Sequence, residues 1–382
     1  MSTRSSGDAV VRLGGASAMA LFVSAVVAGA CSGPPAAAPR PGLQGSGRLE
    51  SRTVVLVAID GVRWQEVFDG VDAALANEKG LAPSERLDAP HLVPNIHRLM
   101  TTDGAVVGAP SSGTPMQASG PNFVSLPGYM EMLTGRADTG CTNNACGDVR
   151  FSTIADDVAD RGGVAAVIAS WPGILHAASA TPGRVATSIG QHGGVDETLF
   201  EDPNLTALLR DGQAAGRGPG EEDFRRDAST GNVACSYLES HRPTFLFVGL
   251  GETDEYAHQG DYRGYLGALH DADAVVGRLA EEVAALNQDG HPSTLMVTTD
   301  HGRASGFSTH GGDHPESARV WLVATGAGIR ARGATTSAAP RHLADVSQTL
   351  RSVLGLPRAS GAPAGKVLGE LFEPPAASIA VR

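Results

Sequence analysis

One stretch constrains this chain more than any other: Leu295–Gly302, which reads LMVTTDHG. An apolar run rich in β-formers stops abruptly at Asp300 and His301, and Gly302 follows. A short continuous apolar run is the pattern of a strand buried on both faces, as in a parallel sheet covered by helices. In open α/β sheets, ligands bind outside the carboxyl ends of the strands. The Asp-His pair therefore sits where chemistry would be placed, although such a pair serves equally well in a solvated turn. Its partners decide.

The chain repeats the pattern. Thr53–Ile59 (TVVLVAI) is a second buried run, and it ends in Asp60-Gly61. Val164–Ser170 (VAAVIAS) and Thr244–Leu250 (TFLFVGL) follow, with Ala105–Ala109 as a shorter strand and Arg319–Thr325 (RVWLVAT) as the last. Helical segments lie between them at Asn95–Thr101, Gly128–Leu133, Thr153–Asp160 and His342–Leu354. The longest helix is Tyr262–Leu286, whose apolar residues recur on one face. Strands and helices in alternation imply an α/β domain around a mostly parallel sheet. That domain is expected over residues 52–372, with cap insertions near 63–94 and 182–227 that carry no readable motif and are expected to shape the pocket.

Two further segments carry polar groups in telling places. After Thr244–Leu250 comes GETDEYAH, in which Asp254 and His258 are four apart, so one helical turn puts both on the same face. In Ser111–Gly135, Ser125 precedes Leu126-Pro127 and a helical stretch. Pro in the first turn places Ser125 near a helix N-terminus, where free backbone N–H groups favour an anion. The same residue would also serve as an ordinary N-cap.

Composition bounds the function classes. With 29 basic against 41 acidic residues the net charge is −12, which argues against binding nucleic-acid duplexes through a basic surface. An anionic substrate would need local positive help, such as metal ions. Residues 1–31 read as an export segment: Arg4 and Arg12 precede an apolar stretch from Leu13 to Ala30 that ends at Cys31. The string VAGAC resembles a bacterial lipoprotein signal, so Cys31 is the expected lipid attachment point in a periplasmic or cell-envelope protein; a plain secretory signal or uncleaved anchor is the alternative. Residues 32–51, rich in Pro, Gly and Ala, read as a linker, and 373–382 as a tail. In an exported protein Cys141 and Cys146 could close a disulfide, leaving Cys235 as a buried thiol. His176 and His192 read as ordinary polar residues.

Asp60, Ser125, Asp254 with His258, Asp300 with His301, and His310 in a THGG context make a joint order that resembles the alkaline phosphatase superfamily, most closely its nucleotide pyrophosphatase/phosphodiesterase-like branch. The resemblance runs from about Thr53 to about Gly328 through VAIDG, SLPGYMEMLTG, the Asp254/His258 pair, TTDHG and THGG. It implies a three-layer α/β/α sandwich holding two zinc ions, with Mn²⁺ or Fe as alternatives. Asp60, Asp300 and His301, joined by Ser125, would hold one ion; Asp254, His258 and His310 would hold the other, with His310 preferred to His314. Ser125 would be the nucleophile, passing through a phosphoseryl intermediate. Asn143, or else Asn144, in GCTNN would bind the phosphoryl group. Gly128 stands where the branch carries Asn, and Tyr129 where formylglycine sulfatases carry Arg. The implied substrate is a small phosphate ester or nucleotide, with a diester favoured. Phosphomonoesters, sulfate or phosphonate esters, a mutase reaction, and a non-catalytic surface lipoprotein are the alternatives.

Overall fold

The computed structural model describes residues 49, 51–138, 140–181, 183–191, 201–220, 222–359, 361 and 364–372. The export segment with Cys31, nearly all of the linker, His192 and the 373–382 tail lie outside the described residues. Among those described, no helix is long and apolar enough to cross a membrane.

The strands are β1 (Thr53–Ile59), β2 (Gly104–Val107), β3 (Met116–Gln117), β4 (Ala165–Ala169), β5 (Ala186–Ile189) and β6 (Phe245–Leu250). After them come β7 (Ser293–Thr298), β8 (Arg319–Val320), β9 (Leu322–Gly326), β10 (Gly333–Ala334) and β11 (Arg341–His342). The main sheet has eight strands in the order β10-β2-β9-β7-β1-β6-β4-β5. All its pairings are parallel except those of β9 with β7 and β2. β1 lies at the centre, with β6 and β7 on its two sides.

Side-chain alternation along β1 divides the interior into two cores. Val55, Val57 and Ile59 enter one of them with Val248 and Leu250 of β6 and Val297 of β7. Helix α4 (Tyr262–Gln288) covers that face through Leu269, Val276, Leu279 and Val283, and α2 (Asp227–His241) lies beside it. Val54, Leu56 and Ala58 enter the other core, against Leu126, Tyr129 and Leu133 of α1 (Ser125–Thr134) and Val346 and Leu350 of α5 (Ala344–Leu354). The sheet is thus the middle layer of an α/β/α sandwich, as the family resemblance implied. Val54–Ile59 have no exposed surface at all, and each large apolar side chain among them contributes about 1.5–3 kcal/mol of burial.

Three segments depart from expectation. Arg319–Thr325 is not one strand: β8 joins β3 and β11 in a small second sheet, and the fully buried Trp321 separates it from β9 in the main one. Residues 63–94, expected only as a cap insertion without a readable motif, form short helices at Trp64–Phe68, Ala73–Glu78 and Ala89–Leu92. The buried Arg63 organises them, donating to Glu66 at 3.0 Å and Asp72 at 2.8 Å. Region 182–227 is more than an insertion, because β5 forms an edge of the main sheet and Pro203–Ala214 is a helix. Cys141 and Cys146 are bonded to each other, and Cys235 is a half-buried thiol beside the Arg278 guanidinium.

Candidate metal centre

Register brings the strand tips together. Ile59 of β1 pairs with Leu250 of β6, and Ala58 with Thr298 of β7, so the three strands end level. Asp60 follows β1 directly, Asp300 and His301 lie just past β7, and helix α3 (Glu252–His258) starts just past β6. Oxygen and nitrogen ligands from three strand ends therefore converge at the carboxyl edge of the sheet.

The cluster has two halves that share a centre. His301 Nε2 is 3.4 Å from Asp60 Oδ1 and 3.4 Å from Asp300 Oδ2. It is also 4.0 Å from Asp254 Oδ1. On the other side, Asp254 Oδ2 lies 2.9 Å from His258 Nε2 and 3.9 Å from His310 Nε2, and the two imidazole nitrogens are 3.0 Å apart. Asp60, Asp300 and His301 have ligand atoms close enough to hold one metal ion; so do Asp254, His301 and His310. His258 touches two members of the second set. His314 stands apart, with its Nε2 3.3 Å from Thr309 Oγ1.

The donor atoms are poised for a cation. His301 Nδ1 donates to the Gly302 carbonyl at 2.8 Å, and His310 Nδ1 donates to the Phe123 carbonyl at 2.8 Å. Both rings therefore turn the lone pair of Nε2 into the cluster, the usual backing of a ligating histidine. Asp300 Oδ1 accepts from Gly61 N at 3.0 Å, whereas the buried Oδ2 has no hydrogen-bond partner. Such an orphaned carboxylate oxygen is costly without a ligand. The electrostatics agree. Burial, and then Asp254, pushes Asp60 up to about 7, and burial with Asp60 holds Asp300 well above the usual carboxylate range. Burial also pushes His301 down to about 4 and His310 down to about 3. A divalent ion would relieve both strains, since it stabilises ionised carboxylates and binds neutral imidazole. These buried acidic and histidine groups can hold metal ions.

Ser125 opens α1 with its Oγ 3.3 Å from Asp60 Oδ1 and 3.3 Å from His301 Nε2. Gly128 has a steric reason: a Cβ there would come within 2.6 Å of the Asp300 carbonyl, so α1 can approach the cluster only without a side chain at that position. Tyr129 donates its hydroxyl to Asp60 Oδ2 at 2.8 Å, which orients the carboxylate. The two asparagines are placed differently. Asn144 lines the cleft beside Ser125 and accepts from Leu126 N at 2.9 Å, whereas Asn143 turns back on its own loop and accepts from Ala145 N at 2.8 Å. The disulfide closes that loop.

Sequence reasoning missed several neighbours. Arg303 is buried and donates to Asp254 Oδ1 and to the Phe307 carbonyl. Burial acts to raise Asp254, but Arg303 and His258 outweigh it and hold this carboxyl well below its usual range. Asp227 accepts from Gly251 N at 2.8 Å and Glu252 N at 3.0 Å, anchoring the start of α3 and so the placement of Asp254 and His258. A cleft of about 350 Å³ leads to the cluster. Trp171, His176 and Phe224 line it, with His176 held by Asp148 at 2.7 Å. Among the described residues of the two expected cap regions, Phe224 alone lines the cleft. Trp-Pro-Gly after a buried strand was the one signal for this wall.

Residues 224–358 match a family model described as the metalloenzyme superfamily. That span contains Asp254, His258, Asp300, His301 and His310. A 2,3-bisphosphoglycerate-independent phosphoglycerate mutase of Gloeobacter violaceus is 25% identical over 144 residues, which is 36% of this chain and 26% of that protein. The match thus spans about a quarter of the relative's length. The phosphonate monoester hydrolase of Agrobacterium radiobacter superposes with a TM-score of 0.55 at 15% identity, covering 85% of this chain and 78% of that one. The alkaline phosphatase PafA gives 0.55 at 11% identity over 84% and 99%. The chain has the fold of the alkaline phosphatase superfamily.

Proposed function

We propose that the protein is an exported metallohydrolase of small phosphate esters, with phosphodiesters or nucleotide pyrophosphates as substrates and Ser125 as nucleophile. The observation that carries this reading is the seat of Ser125, in the first turn of α1, with its Oγ 3.3 Å from both Asp60 and His301 and open to the cleft. The donor set suits two Zn²⁺ ions, with Mn²⁺ or Fe as alternatives: Asp60, Asp300, His301 and Ser125 for one, Asp254, His258 and His310 for the other. Bound there, such ions supply Lewis acidity toward phosphoryl oxygens and lower the pKa of a hydroxyl or water.

The chain's own residues do the rest. Tyr129 and the Gly61 N–H fix Asp60 and Asp300, so Ser125 meets a rigid wall. Its Oγ attacks phosphorus, the ester oxygen departs, and water then cleaves the phosphoseryl bond. Asn144 spends its carbonyl on Leu126 N, so its NH₂ remains to donate to a phosphoryl oxygen beside Ser125. Diesters are favoured over monoesters by the cleft wall, which contains Asp60, Asp254 and Glu255 but no Lys or Arg among the described lining residues. Beyond the metal ligands, the described lining offers no side-chain cation for the second charge of a monoester dianion, which a diester monoanion does not carry. The phosphoglycerate mutase match favours intramolecular phosphoryl transfer as a second reading. Against it, residues between Ser125 and Asp254 build β4, β5, β6 and α2 of this same domain. Export rests on the Arg-flanked apolar stretch ending at Cys31, and mass spectrometry of the mature N-terminus tests it.

The deciding experiment measures bound metal by elemental analysis and compares turnover of bis- and mono-p-nitrophenyl phosphate, with Ser125→Ala alongside. Expected are two metal ions per chain, faster diester cleavage, and no turnover in the variant. A metal-free, inert protein would sink the hydrolase reading, and faster monoester cleavage would reverse the substrate preference.

A further inference from the structure

A second cleft, of about 370 Å³, opens toward the opposite edge of the sheet from the metal centre. Its place follows from the chain. Arg161 lies just before β4 begins, and Arg52, just before β1, donates to the Val353 carbonyl near the end of α5. Helix α1 separates the two regions: Ser125 opens it and Arg136 lies beyond its last residue, Thr134. A helix of that length spans about 15 Å.

Arginines dominate this cleft. Arg136, Arg161, Arg351 and Arg358 line it together with Asp157 and Asp160. Both carboxylates are already engaged, Asp157 by Arg351 and Asp160 by Arg184. Arg351 is buried and donates further to Ser347 Oγ at 3.1 Å and the Pro357 carbonyl at 3.4 Å, so it forms a fixed floor. Burial, and then the neighbouring Arg136, pushes its guanidinium down to about 10. Arg136 is held in place by stacking over the Phe151 ring at 4.7 Å. Among the described residues, no acidic side chain pairs with Arg136, Arg161 or Arg358.

This surplus stands out in a chain whose net charge is −12. Four arginines less two aspartates leave a charge of +2 on the lining. Like charges gathered without partners repel, and an anion is what offsets them. A carboxylate would occupy one guanidinium fork; a phosphate monoester presents two charges and three terminal oxygens to the three unpaired forks. We propose that this cleft binds a phosphate dianion, either in solution or as the headgroup of a phosphatidate lipid. The site is separate from the metal centre and needs nothing from it.

The test uses the full-length, metal-loaded protein and a double substitution at the rim, Arg161→Ala with Arg358→Ala, which leaves the buried Arg351 floor in place. Calorimetric titration with inorganic phosphate at fixed salt is expected to lose one site per chain, its affinity falling about tenfold or more. Circular dichroism and diester turnover should stay at the parent level, which separates this result from any change in the metal centre. Arg161→Lys with Arg358→Lys should retain charge but recover only part of the affinity. Flotation with vesicles of phosphatidylcholine with and without phosphatidic acid distinguishes the sources. Arginine-dependent flotation without a site for free phosphate assigns the headgroup, and the reverse pattern assigns the soluble anion. Phosphate titration and flotation both unchanged by the double substitution would overturn the proposal.

Discussion

The two halves of the metal centre are built differently. Asp60, Asp300 and His301 stand on strand tips, with side chains 4%, 0% and 0% exposed. Asp254 and His258 ride on a helix of seven residues, His310 on the loop after β7, and the His258 side chain is 45% exposed. The inner half is thus fixed by the sheet itself, whereas the outer half depends on how α3 and one loop are anchored. An inner ligand cannot adjust; an outer one can. The inner half therefore suits a permanent role beside the nucleophile, and the outer half suits contact with whatever arrives through the cleft.

The sharpest way to break this comparison is Ser125→Ala. Turnover should fall on the order of 10⁴-fold or more, with metal content unchanged, because Asp60, Asp300 and His301 still hold the inner ion once the Ser125 hydroxyl is gone. Loss of inner metal instead would make Ser125 chiefly a ligand. His258→Ala comes next: elemental analysis should show one ion lost and one kept, with turnover reduced roughly 100- to 1,000-fold, the several kcal/mol that a bound cation contributes. Loss of both ions would show that the halves are not independent. Asp227→Asn weakens the anchor of α3 and should lower outer-metal affinity about 10- to 100-fold, read by competition with a chelator.

Acidity gives a smaller and graded effect. Asp60 is pushed up to about 7, first by burial, and a metal ion must displace that proton. Its folded value lies above the ordinary carboxylate value, so protons compete below about pH 7 and stop competing above it. Inner-metal retention after dialysis should fall as pH drops through that point, by about tenfold in affinity per pH unit. Retention that is flat from about pH 8 to pH 6 would contradict the burial argument. The mildest change is Tyr129→Phe, which removes one hydrogen bond to Asp60 and should cost about 1–2 kcal/mol in thermal unfolding.

What was legible in the sequence follows the same division. Asp60, Asp300 and His301 could be placed because each ends a run of residues buried on both faces, and such runs announce where a strand stops. Asp254 and His258 were legible through their helical spacing. Arg303 and Asp227 were not, because a buried charge looks like a surface charge until its partners are known. The break at Trp321 was hidden for a related reason: an unbroken apolar run does not reveal that the chain changes sheets within it. Asn144 and Asn143 share one motif, and only the path of the disulfide loop tells them apart.

The alternation along β1 carries a last implication, about insertions rather than substitutions. Val55, Val57 and Ile59 serve one core, and Val54, Leu56 and Ala58 the other, while the strand ends at Asp60. Removing a single residue between Arg52 and Asp60 would either swap the side chains on one side of the deletion to the opposite layer or pull the carboxylate away from His301. The length of this stretch is therefore as strictly specified as its chemistry. A library of single-residue deletions would show a hard boundary at β1, whereas the loop carrying the exposed Arg184 would tolerate a change of length.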